Sequence, residues 1–162
     1  MKIEALERLL ISTLRTELTT VKGYVGQTSE WIYVDYPRLD AKMPRISLTL
    51  ISSMQRPASV GGDFDLGGGT LAVYEESLFE IDVWVHRTNK MTSPIKRAGT
   101  ALRDYLGDEI VDVLLKQRKV LAQSNSGLID IEKTGESNQA YDEDREIFRK
   151  TIVVRVTHRR DF

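Results

Sequence analysis

The chain has 162 residues, no cysteine, and 23 Lys and Arg residues against 24 Asp and Glu residues, which gives a formal charge of −1. This length predicts a single domain with a core of its own. The absence of cysteine excludes disulfides, cysteine-ligated zinc and thiol nucleophiles, and the near-neutral charge argues against general attraction to nucleic acid or to an anionic membrane. The sequence contains no apolar run of the roughly 18 residues that a membrane-spanning helix needs, and its acidic start is unlike a signal peptide.

The first elements are predicted to be an amphipathic helix and two strands. Leucine and isoleucine recur at helical spacing over residues 3–20. Residues 31–35 predict a short strand that Pro37 ends. After Pro44, residues 45–52 alternate between apolar and mostly polar side chains and predict a half-buried strand. The pattern indicates a helix packed on one face of a sheet.

A long glycine-rich loop is expected at residues 53–74, because five glycines fall between Gly61 and Gly69. Loops longer than about 12–15 residues tend to be functional or disordered. Two interpretations stay open: a disordered excursion, or a projecting arm or hairpin that orders against a partner chain. The apolar Phe64 and Leu66 between glycines favour the arm. The glycines do not form a phosphate-binding loop, because no Gly-Lys-Ser/Thr and no helix start follow them.

The longest strand is predicted at residues 75–87, with one apolar face and one polar or aromatic face. The apolar face is made of Phe79, Ile81, Val83 and Val85, and the opposite face of Glu80, Asp82, Trp84 and His86. A helix is then expected to begin with Ser93 as its N-cap and Pro94 as its first residue. Residues 107–108 can break or bend this helix, and the basic turn at residues 116–119 is expected to end it.

Two further strands are predicted at residues 128–133 and 147–158, with an acidic polar loop at residues 135–146 between them. The acids of that loop lack the spacing of a calcium-binding EF-hand. The elements together predict an α+β domain that spans residues 1–162. It has a mainly antiparallel sheet of about five strands, two main helices packed on one face, and the glycine-rich loop or arm at 53–74. The uncovered face is expected to show Trp84, Ile51, Val153 and mixed charges.

Catalysis is not predicted. His86 and His158 each lie near the end of a predicted strand, and neither belongs to a metalloprotease, nucleophile-elbow or Ser/His/Asp pattern. Both are therefore expected to be surface residues at strand ends. No cofactor and no metal site is predicted.

The most suggestive acidic pair is Glu80 and Asp82, which are two residues apart on the same strand face. Such a pair can bind a divalent cation or transfer protons. More often it meets a basic side chain on a neighbouring strand, and the polar face of the last strand offers Arg149 and Arg155. Pairing with these arginines is the preferred interpretation.

The element order, with the stretches at residues 31–37, 44–50, 74–85 and 152–156, resembles the tail terminator (tail completion) proteins of long-tailed bacteriophages and related viruses. Such proteins have no enzymatic activity. They form a hexameric ring that caps the tail tube and joins the tail to the head through the neck, and DNA passes through the ring. The resemblance implies a virion protein of the tail or neck, assembled in the host cytoplasm. Its partners would be copies of itself, the tail tube protein and neck or head–tail connector proteins, with no sequence-specific DNA binding and no membrane.

Six residues are expected at the interfaces of such a ring because they are apolar or basic and are expected to be exposed: Phe64, Leu66, Arg56, Trp84, Arg159 and Arg160. The arginines are candidates for contacts to neighbouring chains or to the DNA channel. Two other classes remain open. One is another ring protein of the neck or tail, such as a head–tail adaptor or tube initiator, and the other is a small metal-dependent enzyme that uses Glu80 and Asp82.

Overall fold

A computed structural model describes residues 1–18, 32–35, 43–56, 64–65, 71–91, 96–124 and 127–161. The elements, in chain order, are helix α1 (Ile3–Glu17), strands β1 (Ile32–Val34), β2 (Arg45–Arg56), β3 (Phe64–Asp65), β4 (Leu71–His86), β5 (Lys90–Met91) and β6 (Arg97–Ala98), helix α2 (Gly99–Ser124), and strands β7 (Leu128–Asn138) and β8 (Ile147–Asp161). In this part of the chain, neither helix is long and apolar enough to cross a membrane.

The main sheet has the strand order β1-β2-β4-β8-β7, with β3 paired to β4. Strand β1 is parallel to β2, and all other neighbours in this sheet are antiparallel. Strands β5 and β6 form a separate antiparallel pair. Long antiparallel strands with one buried and one polar face are what the alternating sequence specifies, and the predicted α+β fold is confirmed.

One hydrophobic core lies between the helices and one face of the sheet. The predicted apolar face of β4 is completely buried, since Phe79, Ile81, Val83 and Val85 have no exposed surface. Helix α1 covers it with leucines at helical spacing, and α2 adds a second row; these are Leu6, Leu10, Leu14, Leu102, Leu106, Ile110 and Leu114. The opposite face is called the open face below, because neither helix packs on it.

The strands on either side of the glycine-rich stretch are longer than expected. Strand β2 continues through residues 53–56 and β4 begins at Leu71, and their register runs out to the pair Arg56 and Tyr74. Both ends of the stretch expected to be a loop are therefore part of a hairpin. Residues 57–63 and 66–70 lie outside the described part of the chain.

The second helix begins later than the sequence pattern suggests. It starts at Gly99, whose φ is 54°, and residues 97–98 form β6 against β5. The predicted N-cap at Ser93 and first helical residue at Pro94 lie outside the described residues. The helix then runs without interruption through Gly107. A Cβ there would lie 2.8 Å from Lys150 Cδ, so this glycine allows close packing and does not break the helix.

Irregularities in β7 and β8 alter the predicted faces. The register shifts between Leu128 and Asp130, so Leu128 and Ile131 are both buried while Ile129 is exposed. A bulge places two residues of one strand against one of its partner and thereby interrupts strict alternation. Strand β7 also extends to Asn138, so the predicted acidic loop begins later than residue 135.

Candidate functional site

The acidic pair on the open face is occupied by an arginine of the neighbouring strand. Arg149 Nη2 donates to Glu80 Oε1 and to Asp82 Oδ2, each at 2.7 Å. The Thr151 hydroxyl donates to Asp82 Oδ1 at 2.6 Å. The preferred interpretation of the pair is confirmed for Arg149. Arg155 instead lies near Glu132 and Glu76, at 3.5 and 3.9 Å.

The pKa of Glu80 reflects its crowded position in this cluster. Burial raises the pKa of Glu80, and the nearby Asp82 carboxylate raises it further, while Arg149 opposes both effects. Asp82 has no exposed surface. Within the described residues, no group of three or more His, Asp or Glu side chains could hold a metal ion. The cluster can stabilise the open face by joining β4 to β8.

Trp84 lies at the same end of the open face and packs between two guanidinium groups. Arg149 Cζ is 4.6 Å and Arg45 Cζ is 5.8 Å from the ring centre. The indole nitrogen donates to Ser47 Oγ at 3.0 Å. Stacking of this kind contributes about 0.5–2 kcal/mol. The residue proposed as a contact is thus half-buried and held by its own chain.

A second polar cluster lies on the other face of the sheet, near the free end of the β2–β4 hairpin. Ser77 Oγ and His158 Nε2 share a hydrogen bond of 3.0 Å. Ser53 Oγ lies 3.1 Å from Ser77 Oγ and donates to Glu75. Arg160 Nη1 lies 3.5 Å from the second oxygen of Glu75. This brings a serine, a histidine and a carboxylate into one network.

The network does not have the arrangement of a catalytic triad. Ser77 and His158 have no exposed surface, so a substrate cannot reach the hydroxyl. Glu75 bonds Ser53, and among the described residues His158 Nδ1 has no hydrogen-bond partner. A triad needs the carboxylate on that nitrogen to orient the ring. Burial also lowers the pKa of His158, so the ring is neutral and serves as part of the core.

The prediction that His158 is a surface residue at a strand end is wrong. Strand β8 continues to Asp161, and residue 158 has the same parity as the buried Ile152, Val154 and Val156. Extending the period-two alternation from Val156 to residue 158 would have predicted a buried side chain for His158. His86, by contrast, is partly exposed near Glu146.

Lys150 is a buried cation that no local sequence pattern marks. It lies on the helix side of β8, with Nζ at 3.6 Å from Asp108, 3.9 Å from Glu136 and 4.0 Å from Asp104. A hydrogen bond from Lys133, followed by the charge of Lys150, lowers the pKa of Glu136. The cluster ties α2 to β7 and β8 and is a structural feature.

An open groove of about 600 Å³ lies between α1 and β1. Two arginines of α1 contribute its charge, and the rest of the lining is mixed; the residues are Arg8, Ile11, Ser12, Arg15, Thr16, Ile32, Tyr33 and Val34. Arg15 Nη2 donates to the carbonyl of Ile32 at 2.8 Å. The groove has no converging set of polar groups of the kind that fixes a small ligand.

The two outer edges of the sheet are the clearest candidate interaction surfaces. Among the described residues, β7 pairs only with β8, and β2 has no partner on its outer side beyond the pair Val34 and Leu48. Exposed apolar side chains lie on these same strands, namely Ile51, Met54 and Ile129. An open strand edge is a template for pairing with another chain.

The six predicted interface residues do not form one site. Arg56 and Arg159 both register with Tyr74 and lie together on the open face. Trp84 is ten residues along β4 from Tyr74, about 33 Å away by strand rise. Arg160 lies on the other face beside Glu75. Phe64 is part of β3, whose side chains are not described, and Leu66 lies outside the described residues.

Comparison with known proteins gives a fold likeness. No protein-family model and no curated protein matches the chain. A solved structure described as the virion of a native gene transfer agent particle contains a chain with a TM-score of 0.57 and 15% identity. The match covers 93% of this chain and 92% of that one. The two chains therefore share a fold over nearly their whole length.

Proposed function

We propose that this chain is a structural protein of a phage-like virion and acts as a tail terminator. Six copies would form a ring that caps the tail tube and joins it to the neck or head, with DNA passing through the lumen. The observation that carries the proposal is the fold shared with a virion chain over nearly the whole length. The two helices and five main strands that suggested a tail terminator from the sequence occur in the same order in the structure, which adds three two-residue strands.

The chemistry of the described residues supports a structural role. Both carboxylates of the acidic pair accept hydrogen bonds from Arg149, and the Ser77–His158 pair is buried. The clearest interaction surfaces among the described residues are strand edges, which suit assembly. The near-neutral charge suits a lumen that DNA traverses without being retained. The partners would be the tail tube protein, neck or head–tail connector proteins and further copies of the chain, within a tail or neck assembled in the host cytoplasm.

Native mass spectrometry over a range of concentrations, together with electron microscopy of the same samples, tests the ring. A closed hexamer with a central hole supports a tail terminator, whereas a dodecamer would favour a head–tail adaptor. A monomer at every concentration, with a melting temperature that rises strongly in magnesium, would favour the metal-dependent enzyme instead.

Genetic deletion tests the place in the virion. Without the gene, particle preparations should contain heads and tails that are not joined. Particles that assemble and deliver DNA normally would refute the proposal. Phe64 and Leu66 remain predicted contacts, and deleting residues 58–70 should then impair ring formation and tail joining.

A further inference from the structure

The two open edges of the sheet differ in charge. At the β2 edge, the side chain of Arg56 is 56% exposed. At the β7 edge, Asp130 is exposed and the side chain of Glu132 is 61% exposed. The pairings Arg56–Tyr74, Leu78–Arg155 and Glu132–Arg155 place these charges on the same open face. Arg56 is also paired with Glu76 of its own chain at 2.9 Å, and Glu132 with Arg155 at 3.5 Å. On this face the β2 edge therefore carries one partly exposed arginine, and the β7 edge carries two exposed acids.

The two edges also lie at the same level along the strands. Across the sheet, Met54 is paired with Glu76, Glu76 with Thr157, and Thr157 with Asp130. Met54 and Asp130 therefore lie at the same height on opposite sides of the sheet. By the same path Ser52 is level with Glu132. The part of β2 on which no described strand pairs at its outer side thus lies level with the first half of β7.

The directions of the strands allow the two edges to pair. Strands β2 and β8 run in one direction, and β4 and β7 run in the other. A rotation about an axis along the strands preserves these directions. Strand β7 of one copy would then meet β2 of the next in antiparallel orientation, which two open edges can extend without a crossover.

We propose that copies of this chain associate head to tail, with β7 of one copy pairing antiparallel to residues 49–56 of β2 in the next. This rests on the proposed function, because it assigns the subunit contact of the ring. Arg56 lies diagonal to Asp130 of the neighbouring copy, and the exposed Met54 and Ile129 are covered. Strand β1 limits the contact, since it already occupies β2 at residues 46–48.

Charge favours this contact over the symmetric alternatives. Pairing β7 with β7 centred on Ile131 would place Asp130 beside Glu132, and like charges opposite each other destabilise a sheet. Pairing β2 with β2 joins no opposite charges. A contact between two different surfaces repeats around a ring, and it closes when the rotation between copies divides a full turn.

Disulfide trapping tests the geometry directly, because the chain has no cysteine. The double variant Met54→Cys/Asp130→Cys, oxidised after assembly, should give a ladder of covalent multimers on a non-reducing gel. Each single variant should remain a monomer on that gel. Dimers from a single variant would overturn the proposal, because they require β2–β2 or β7–β7 contact. The pair Met54→Cys/Lys119→Cys, with Lys119 exposed on α2, is the control.

Charge reversal gives a second measurement. Arg56→Glu or Asp130→Arg alone should weaken association roughly tenfold, and the double variant should restore most of it. Lys119→Glu should have no effect. If the double charge reversal restores association but the cysteine pair does not cross-link, the edges pair in a register other than Met54 opposite Asp130, and the proposed register is overturned. If rings form but the cysteine pair gives no covalent multimers and the charge reversals do not change association, the edge contact is wrong and the proposed function still stands. A wild-type monomer at all concentrations overturns both.

Discussion

Replacing Arg149 with methionine is expected to destabilise the protein far more than the same change at Arg155, although both arginines lie on the open face of β8. Arg149 bonds two carboxylates at 2.7 Å, and the Asp82 side chain is only 1% exposed. The substitution leaves that carboxylate buried with the Thr151 hydroxyl as a remaining donor. Breaking a buried ion pair from one side costs about 3–5 kcal/mol, which corresponds to a Tm about 10 °C lower in a chain of this size.

Arg155→Met is the matched control. Its side chain is 39% exposed and lies 3.5 Å from Glu132, and exposed pairs are worth about 0.2–1 kcal/mol. Urea unfolding followed by circular dichroism measures both variants. Burial and the nearby Asp82 raise the pKa of Glu80, so the deficit of Arg149→Met should shrink towards pH 4 as Glu80 is protonated and needs no counter-ion. Equal losses in the two variants would refute the argument that burial decides the cost.

Two further predictions concern buried groups on the helix side of the sheet. Burial lowers the pKa of His158, so just below the usual histidine pKa of 6.5 the unfolded chain binds more protons than the folded one. The free energy of unfolding should therefore fall as the pH falls through 6.5. His158→Gln should flatten the curve of unfolding free energy against pH, whereas His86→Gln should not. A Cβ at Gly107 would lie 2.8 Å from Lys150 Cδ. Gly107→Ala should therefore stabilise the protein by about 1 kcal/mol through helix propensity only when Lys150 is also replaced by alanine. An equal gain in the parent chain, measured by urea unfolding, would contradict the packing argument.

The hydrophobic core could be predicted because period-two and helical alternation decide which side chains face inward. Spacing alone assigns Phe79 and Ile81 to the apolar face of β4 and the leucines of residues 3–20 to the apolar face of α1; Phe79, Ile81, Leu6 and Leu10 are all fully buried. The ion pair of Glu80 and Asp82 with Arg149 followed from the same logic. Acids on one strand face need a cation on the next strand.

The remaining features depend on contacts between distant parts of the chain. The bulge after Leu128 moves Ile129 outward, and nothing in the local composition marks it. Gly107 reads as a helix breaker until the side chain of Lys150 is placed over it. The level match between Met54 and Asp130 exists only once the register of three strand pairs is known. A sequence pattern predicts which face of a helix or strand is buried, whereas the free edges of a sheet and the register between its strands depend on tertiary structure.

The proposed edge contact has a consequence for the size of the lumen. Six copies would contribute the long strands β2, β4, β8 and β7, about 24 strands in all. With strands along the ring axis and about 4.8 Å between them, the circumference is about 115 Å and the diameter about 37 Å. Because α1 and α2 occupy one face, the open face would line the inside, where side chains take up about 5 Å on each wall.

The resulting opening of about 27 Å admits a DNA double helix. Its lining would carry Arg149 with Glu80 and Asp82, and Arg56 and Arg155 near Glu76, so positive charges lie beside negative ones within each copy. Matched charges give phosphates no strong site at which to stop. Cryo-electron microscopy of the assembled ring measures both features. A lumen too narrow for duplex DNA would contradict passage while leaving the edge contact intact, and helices facing inward would show that the open face has been assigned to the wrong side.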